Sequence, residues 1–155
     1  MSNNVNVSLI RQFIACGADI NSVDNYGRSA LHLSIIQNNY EVFRRILTTI
    51  EEQENVPYAL KRVTIYDQDQ NGFNALHYAA NVGSSKIAER LLTNTMVSDQ
   101  SALLCAESTD GQIPYFIAVI EKHMDVAALL SEITPIDVLR KANEQIDILQ
   151  KESDL

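Results

Sequence analysis

The stretch that decides how this chain folds is Asp69-Gln70-Asn71-Gly72-Phe73-Asn74-Ala75-Leu76-His77-Tyr78-Ala79-Ala80-Asn81-Val82-Gly83-Ser84-Ser85-Lys86-Ile87-Ala88-Glu89-Arg90-Leu91-Leu92. It reads as a turn, a short helix, a second turn and a second helix. Gly72 supplies a turn position that tolerates positive φ. Asn74 is placed to cap the first helix by accepting a backbone N–H. Ala75, Leu76, Ala79 and Ala80 recur at helical spacing as one apolar stripe, and Ile87, Ala88, Leu91 and Leu92 form a second. Gly83 ends the first helix and Ser84 caps the next. A pair of helices this short cannot bury two stripes by itself, so it requires similar neighbours on each side.

The neighbours are present. Asp24-Asn25-Tyr26-Gly27-Arg28-Ser29-Ala30-Leu31-His32-Leu33-Ser34 repeats the pattern upstream, followed by Val42, Ile46 and Leu47 on a second helix. Ser108-Thr109-Asp110-Gly111-Gln112-Ile113-Pro114-Tyr115-Phe116-Ile117-Ala118 repeats it downstream, followed by Val126, Leu129 and Leu130. Gly17-Ala18-Asp19-Ile20-Asn21 closes an earlier half-unit, whose helix carries Leu9, Ile10, Phe13 and Ile14 behind a Ser8 cap.

These units resemble the ankyrin repeat, a turn plus two helices at a period of about 33 residues with a Thr-Pro-Leu-His core. The likeness is specific at Ala30-Leu31-His32 and Ala75-Leu76-His77 and weaker in the third unit, where Phe116 replaces His. It covers roughly residues 8–131. The resemblance implies an all-α solenoid of helix-turn-helix units with hairpin loops, irregular insertions between repeats and a C-terminal capping helix. The expected organisation is a single domain over residues 1–155: an N-terminal half repeat (8–23), a repeat with insertion (24–68), a second repeat with insertion (69–107), a third repeat (108–134) and a capping helix (135–152). The half repeat lacks a first helix, so the chain is either a fragment or begins with a cap that leaves one apolar side open.

Two departures from the family pattern shape the expectations. Gly27 and Gly72 stand 45 positions apart and Gly72 and Gly111 stand 39 apart, both longer than the family period. The first insertion predicts a second helix running on into residues 51–54, a helical turn at Tyr58-Ala59-Leu60, and extended backbone at Val63-Thr64-Ile65-Tyr66. The second predicts a loop at residues 94–101 and a short helical turn at residues 102–106. Both insertions are expected on the hairpin side of the stack. Pro135 opens a last helix to about Gln150 with Ile136, Leu139, Ala142, Ile146 and Leu149 on one face. It reads as a cap on the last repeat, the rival being a short coiled-coil seam for another chain.

Composition narrows the function. The net charge of −8 over 155 residues argues against a nucleic-acid binder or a ligand of anionic membranes. No apolar run reaches the roughly 18 residues of a membrane span, and Met1-Ser2-Asn3-Asn4-Val5-Asn6 lacks a secretory signature. A monomeric cytoplasmic protein is expected, or alternatively one delivered into a host cell. Cys16 and Cys105 read as reduced core residues. His32 and His77 have no Cys, Asp or Glu at metal-ligand spacing, and the resemblance implies that they bond backbone groups between neighbouring hairpins. His123 sits at a helix start with no visible partner. Asp19, Asp24, Asp67, Asp69 and Asp110 read as turn residues. No phosphate-loop or nucleophile-elbow motif occurs, so neither an enzyme nor a cofactor nor a metal is expected.

The resemblance further implies that partners are met at the loop tips and the exposed side of each first helix. In this chain those positions are Asn25, Tyr26, Arg28, Ile36 and Gln37; Gln70, Asn71, Phe73, Asn81 and Val82; and Thr109, Asp110, Gln112, Ile120 and Glu121. Tyr26, Arg28, Ile36, Gln37, Gln70, Asn71, Phe73, Asn81, Val82, Gln112 and Ile120 form the expected protein-binding face. Tyr26, Ile36, Phe73, Val82 and Ile120 are apolar where solubility favours polar residues, and make one patch unless the insertions fold over them. Phe73, just after the turn glycine, is expected to point its ring outward. The function implied is a non-catalytic protein-interaction module, a scaffold or inhibitor. The alternatives are a bacterial or viral effector acting on a host protein, and a regulatory fragment of a larger enzyme.

Overall fold

The computed structural model describes residues 12, 13, 15–52, 65–94 and 100–154. Eight helices follow in order among them: α1 (Ala30–Ile36), α2 (Tyr40–Glu52), α3 (Ala75–Val82), α4 (Ser85–Leu92), α5 (Gln100–Leu104), α6 (Pro114–Ile120), α7 (Met124–Ile133) and α8 (Ile136–Ser153). The only strand-like pairing among the described residues is one antiparallel bridge, Val23 to Ser29, inside the first hairpin.

The first helices of the first two units start where the sequence places a cap. The Ser29 hydroxyl accepts the His32 N–H, and the His32 ring reaches back to the Ser29 N–H at 3.2 Å. Asn74 and His77 repeat this reciprocal box on α3. The third unit has no side-chain cap: Ile113 occupies the position and Pro114 opens α6. Proline suits the first helical turn, where its missing N–H would be unpaired anyway. Phe116 stands at the histidine's position and is buried. The turn between the helices of each unit uses one residue at positive φ, namely Asn38, Gly83 and Lys122. The apolar stripes then pack in two layers. α1 contacts α3 and α3 contacts α6; behind them α2 contacts α4 and α4 contacts α7. Ile87, Ala88, Leu91 and Leu92 of α4 are all buried, as are Phe43, Ile46, Leu47 and Ile50 of α2 at i, i+3, i+4 and i+7. Burying a side chain of this size stabilises by roughly 1.5–3 kcal/mol.

Several expectations need correction. Ile65 and Tyr66 are helical rather than extended, and Ile65 is fully buried, which anchors the end of the insertion. Residues 53 and 54 of the expected helix extension, Val63, Thr64 and Tyr58-Ala59-Leu60 lie outside the described residues. The second insertion forms α5, which begins at Gln100, inside the stretch expected as loop; residues 95–99 of that loop lie outside the described residues. Leu103 and Leu104 are buried, and the Leu103 carbonyl accepts the Asn74 amide at 3.1 Å. α5 is therefore part of the core beside α3. α8 runs to Ser153, further than expected, and packs on α6 with Ala142 and Ile146 buried and Leu139 partly so. Ile136 and Leu149 are not covered: they are 76% and 42% exposed. The helix is longer than the stack it covers, so its ends overhang. Cys16 is exposed and so is not a core residue, whereas Cys105 is half-buried against the core. Of the half repeat, Gln12, Phe13 and Ala15 are helical and Phe13 is exposed; Ser8, Leu9, Ile10 and Ile14 lie outside the described residues.

Candidate protein-interaction face

Three hairpins project from the layer of first helices, and one set of bonds builds each. Asp24 N–H donates to Arg28 O, Asp69 N–H to Phe73 O and Ser108 N–H to Gln112 O, at 2.9–3.0 Å. In the first two the leading carboxylate also accepts two N–H groups of its own turn, those of Tyr26 and Arg28 at Asp24 and those of Asn71 and Phe73 at Asp69. These bonds hold the Asp24 carboxyl below its ordinary value, the Arg28 N–H contributing most. In the third hairpin Ser108 does this work through its hydroxyl, at 3.2–3.3 Å. Asp110 thus stands at the tip and does not open the turn.

The hairpins stack on one another. Gln70 N–H donates to Tyr26 O at 3.0 Å and Thr109 N–H to Asn71 O at 2.9 Å. Gly27 and Gly72 permit this approach: a Cβ on Gly72 would lie 2.9 Å from Ser108 Cα and from Thr109 N. The histidines tie the stack from below. His32 Nε2 meets Asp67 O at 3.1 Å and His77 Nε2 meets Gln112 O at 3.0 Å, the role that the resemblance implies. With the proton on Nε2, each ring donates there and accepts a backbone N–H at Nδ1. Burial pushes the pKa of both rings down, that of His77 to about 4. His123, which shows no partner in the sequence, bonds Ala80 O through Nδ1 at 2.9 Å and lies against Gly83, where any Cβ would strike its ring. That contact spans 43 positions and carries no local signal.

The exposed side of this frame holds the expected contact residues. Tyr26 at the first tip is 61% exposed, with the Arg28 guanidinium 4.8 Å from its ring centre and paired to Asp24 at 2.8 Å. Asn25, Gln37, Gln70, Asn71, Asn81, Thr109, Asp110, Ile120 and Glu121 are exposed as well. Ile36, Val82 and Gln112 are partly buried, as is Arg28. Phe73 departs from expectation. Its ring lies against the core, stacked on His77 at 5.1 Å between centres and edge-on to Tyr78 at 5.3 Å. The ring turns inward because His77 and Tyr78, one helical turn below, offer it an aromatic bed.

Tyr78 is the residue that sequence reasoning missed. Its hydroxyl donates to Asp69 Oδ2, and its ring lies 5.6 Å from that of His32. Partial burial, then the bond to Asp69, raises the phenol above its ordinary pKa. It links α1 to the second hairpin, and it occupies an interior helix position with no motif to mark it. Ile120 belongs elsewhere: with Met124, Leu149 and Lys122 it lines a shallow groove of about 560 Å³ between the α6–α7 turn and the end of α8. The expected contact positions therefore fall in two areas, an aromatic one across hairpins 1 and 2 and one at the stack's end.

Among the described residues no group of three or more His, Cys, Asp or Glu side chains could hold a metal ion. No described helix is long and apolar enough to cross a membrane. Comparison with curated proteins gives no match. The family model for ankyrin repeats, in three copies, matches residues 1–101 and 51–142. The capped hairpins, the histidine ties and the two stacked helix layers agree with that match, and the chain belongs to the ankyrin repeat family, whose domains are generally protein-interaction modules.

Proposed function

We propose that this protein is a non-catalytic scaffold or inhibitor that binds a protein partner across hairpins 1 and 2 and the exposed side of α1 and α3. The observation that carries this reading is the group of Tyr26, Arg28 and the partly exposed Tyr78, fixed by bonds to Asp24 and Asp69 above the inward ring of Phe73, with Asn71 and Asn81 exposed on the same two elements. Tyrosine and arginine are typical anchors of protein interfaces. Here they are ordered before any partner arrives, so little side-chain entropy remains to be lost on association. The charged outer face of α8, with Asp137, Arg140, Glu144, Asp147 and Lys151 exposed, supports a solvated cap and a monomer over a coiled-coil seam. Action in the cytoplasm is part of the same proposal.

The test is crosslinking capture from the native cell, read beside thermal melting for the same variants. Tyr26→Ala and Asn81→Arg should melt within about 0.5 kcal/mol of the parent, as surface changes usually do. Both should weaken capture roughly tenfold or more, as interface anchors do. Glu89→Arg, on the exposed back of α4, should change neither. Capture that survives both first variants and falls with Glu89→Arg would place the site on the opposite layer.

A further inference from the structure

Asn71-Gly72 and Asp110-Gly111 occupy the same two positions of successive hairpins, and both pairs are chemically vulnerable. In an Asn-Gly pair the glycine backbone nitrogen attacks the side-chain Cγ, ammonia leaves and a five-membered imide forms. Water then opens it, leaving aspartate or isoaspartate. An Asp-Gly pair reaches the same imide by expelling water and reopens with water, so the net change is isomerisation. Glycine favours both routes because nothing shields its nitrogen and its backbone is free to bend toward the side chain. In a flexible chain the amide reacts far faster than the carboxylate.

The fold treats the two pairs differently. In both, the glycine N–H is engaged in its own turn, Gly72 N–H to Asp69 O and Gly111 N–H to Ser108 O, each at 2.9 Å. Only the middle pair is held from outside as well. The Asn71 carbonyl accepts Thr109 N–H, and Gly72 is packed on the backbone of Ser108 and Thr109. The Asn71 N–H is tied to the Asp69 carboxylate at 2.9 Å. At the last hairpin no other described atom lies within 4 Å of where a Gly111 Cβ would stand, and the Asp110 N–H is held only at 3.3 Å by the Ser108 hydroxyl. Cyclisation requires the peptide plane between the two residues to rotate, so it proceeds through local opening. Opening is easier at an unstacked terminal element.

We infer that folding reverses the order of reactivity, making Asp110-Gly111 the isoaspartate-forming site of the native protein while the third hairpin shields Asn71-Gly72. The inserted methylene at Asp110 then lengthens the hairpin that supplies the Thr109 N–H, so damage at the last hairpin precedes and permits damage at the middle one.

The experiment incubates the folded chain and the urea-denatured chain near neutral pH, because the aspartate route expels water from the protonated carboxyl and is suppressed in alkali. Proteolysis, peptide mass spectrometry and isoaspartyl methyltransferase labelling follow. In the denatured chain Asn71 conversion should dominate. In the folded protein Asn71 should slow by more than the factor by which it leads Asp110 in the denatured chain, with Asp110 slowed much less, as local opening energies differ between buried and terminal elements. Label should therefore map first to Asp110. Thr109→Pro removes the N–H that holds Asn71 while suiting the second position of the turn; it should speed Asn71 conversion severalfold in a chain that circular dichroism shows folded. Labelling of Asn71 first in the native protein, or equal protection of the two pairs, would overturn the inference.

Discussion

Acidification should unfold this protein chiefly through His77. The ring is fully buried, and its folded pKa of about 4 lies below the ordinary 6.5. Between those values the unfolded chain takes up a proton that the folded protein refuses. The stability that neutral His77 contributes is thus complete above pH 6.5 and is lost as the pH falls toward 4. Over that range the loss is about 3 kcal/mol, or roughly 6–12 °C in melting temperature for a domain of this size. His32, also buried and pushed down, adds to the loss in the same direction. Asp67 opposes it: burial raises its carboxyl, so the folded state takes up that proton more readily than the unfolded chain. The assay is urea denaturation at a series of pH values from 7.5 to 4, beside His77→Gln. The variant removes a buried partner of Gln112 O and should be less stable at neutral pH by about 1–3 kcal/mol. It has no proton to gain, so its stability should fall less steeply on acidification, by about the 3 kcal/mol assigned to the ring. Parallel curves for the two proteins, or an imidazole resonance of His77 that titrates near 6.5 in the folded state, would refute the reasoning.

The stacked hairpins give a paired prediction. Gly72→Ala should destabilise more than Gly111→Ala by at least about 1 kcal/mol, because both residues bear the positive-φ penalty of about 1–2 kcal/mol and only Gly72 meets neighbouring backbone, at 2.9 Å; equal melting shifts would mean that the hairpins part freely. Phe73→Ala should lower stability by about 1–3 kcal/mol, below the range for a fully buried aromatic because the ring is only partly covered; an unchanged denaturation midpoint would return the ring to solvent. Deleting residues 135–155 uncovers the face of α6 that meets Ala142 and Ile146, and should lower the melting temperature and promote aggregation in light scattering. A well-folded, fully soluble truncated chain would show that α8 is not a cap.

The sequence by itself determined the repeat. Ser29, Asn74, Ser84, Gly72 and Gly83 act within a few residues of themselves, and a cap, a turn or a left-handed residue is a local event that spacing reveals. The helix stripes were legible for the same reason, since a 3.6-residue period marks the buried side wherever the helix ends up. The family's histidine position carried His32 and His77. Only the tertiary structure decided which surfaces come into contact. The His123 bond to Ala80, the inward ring of Phe73, the Tyr78 link to Asp69 and the burial of α5 against α3 all depend on which surfaces meet. The longest of these joins residues 43 positions apart, and nothing in the local pattern of either segment encodes the partner. α8 shows the limit most plainly: its stripe marks five apolar residues, but the width of the stack beneath it covers Ala142 and Ile146 and leaves Ile136 in water, because burial is a property of the two surfaces together.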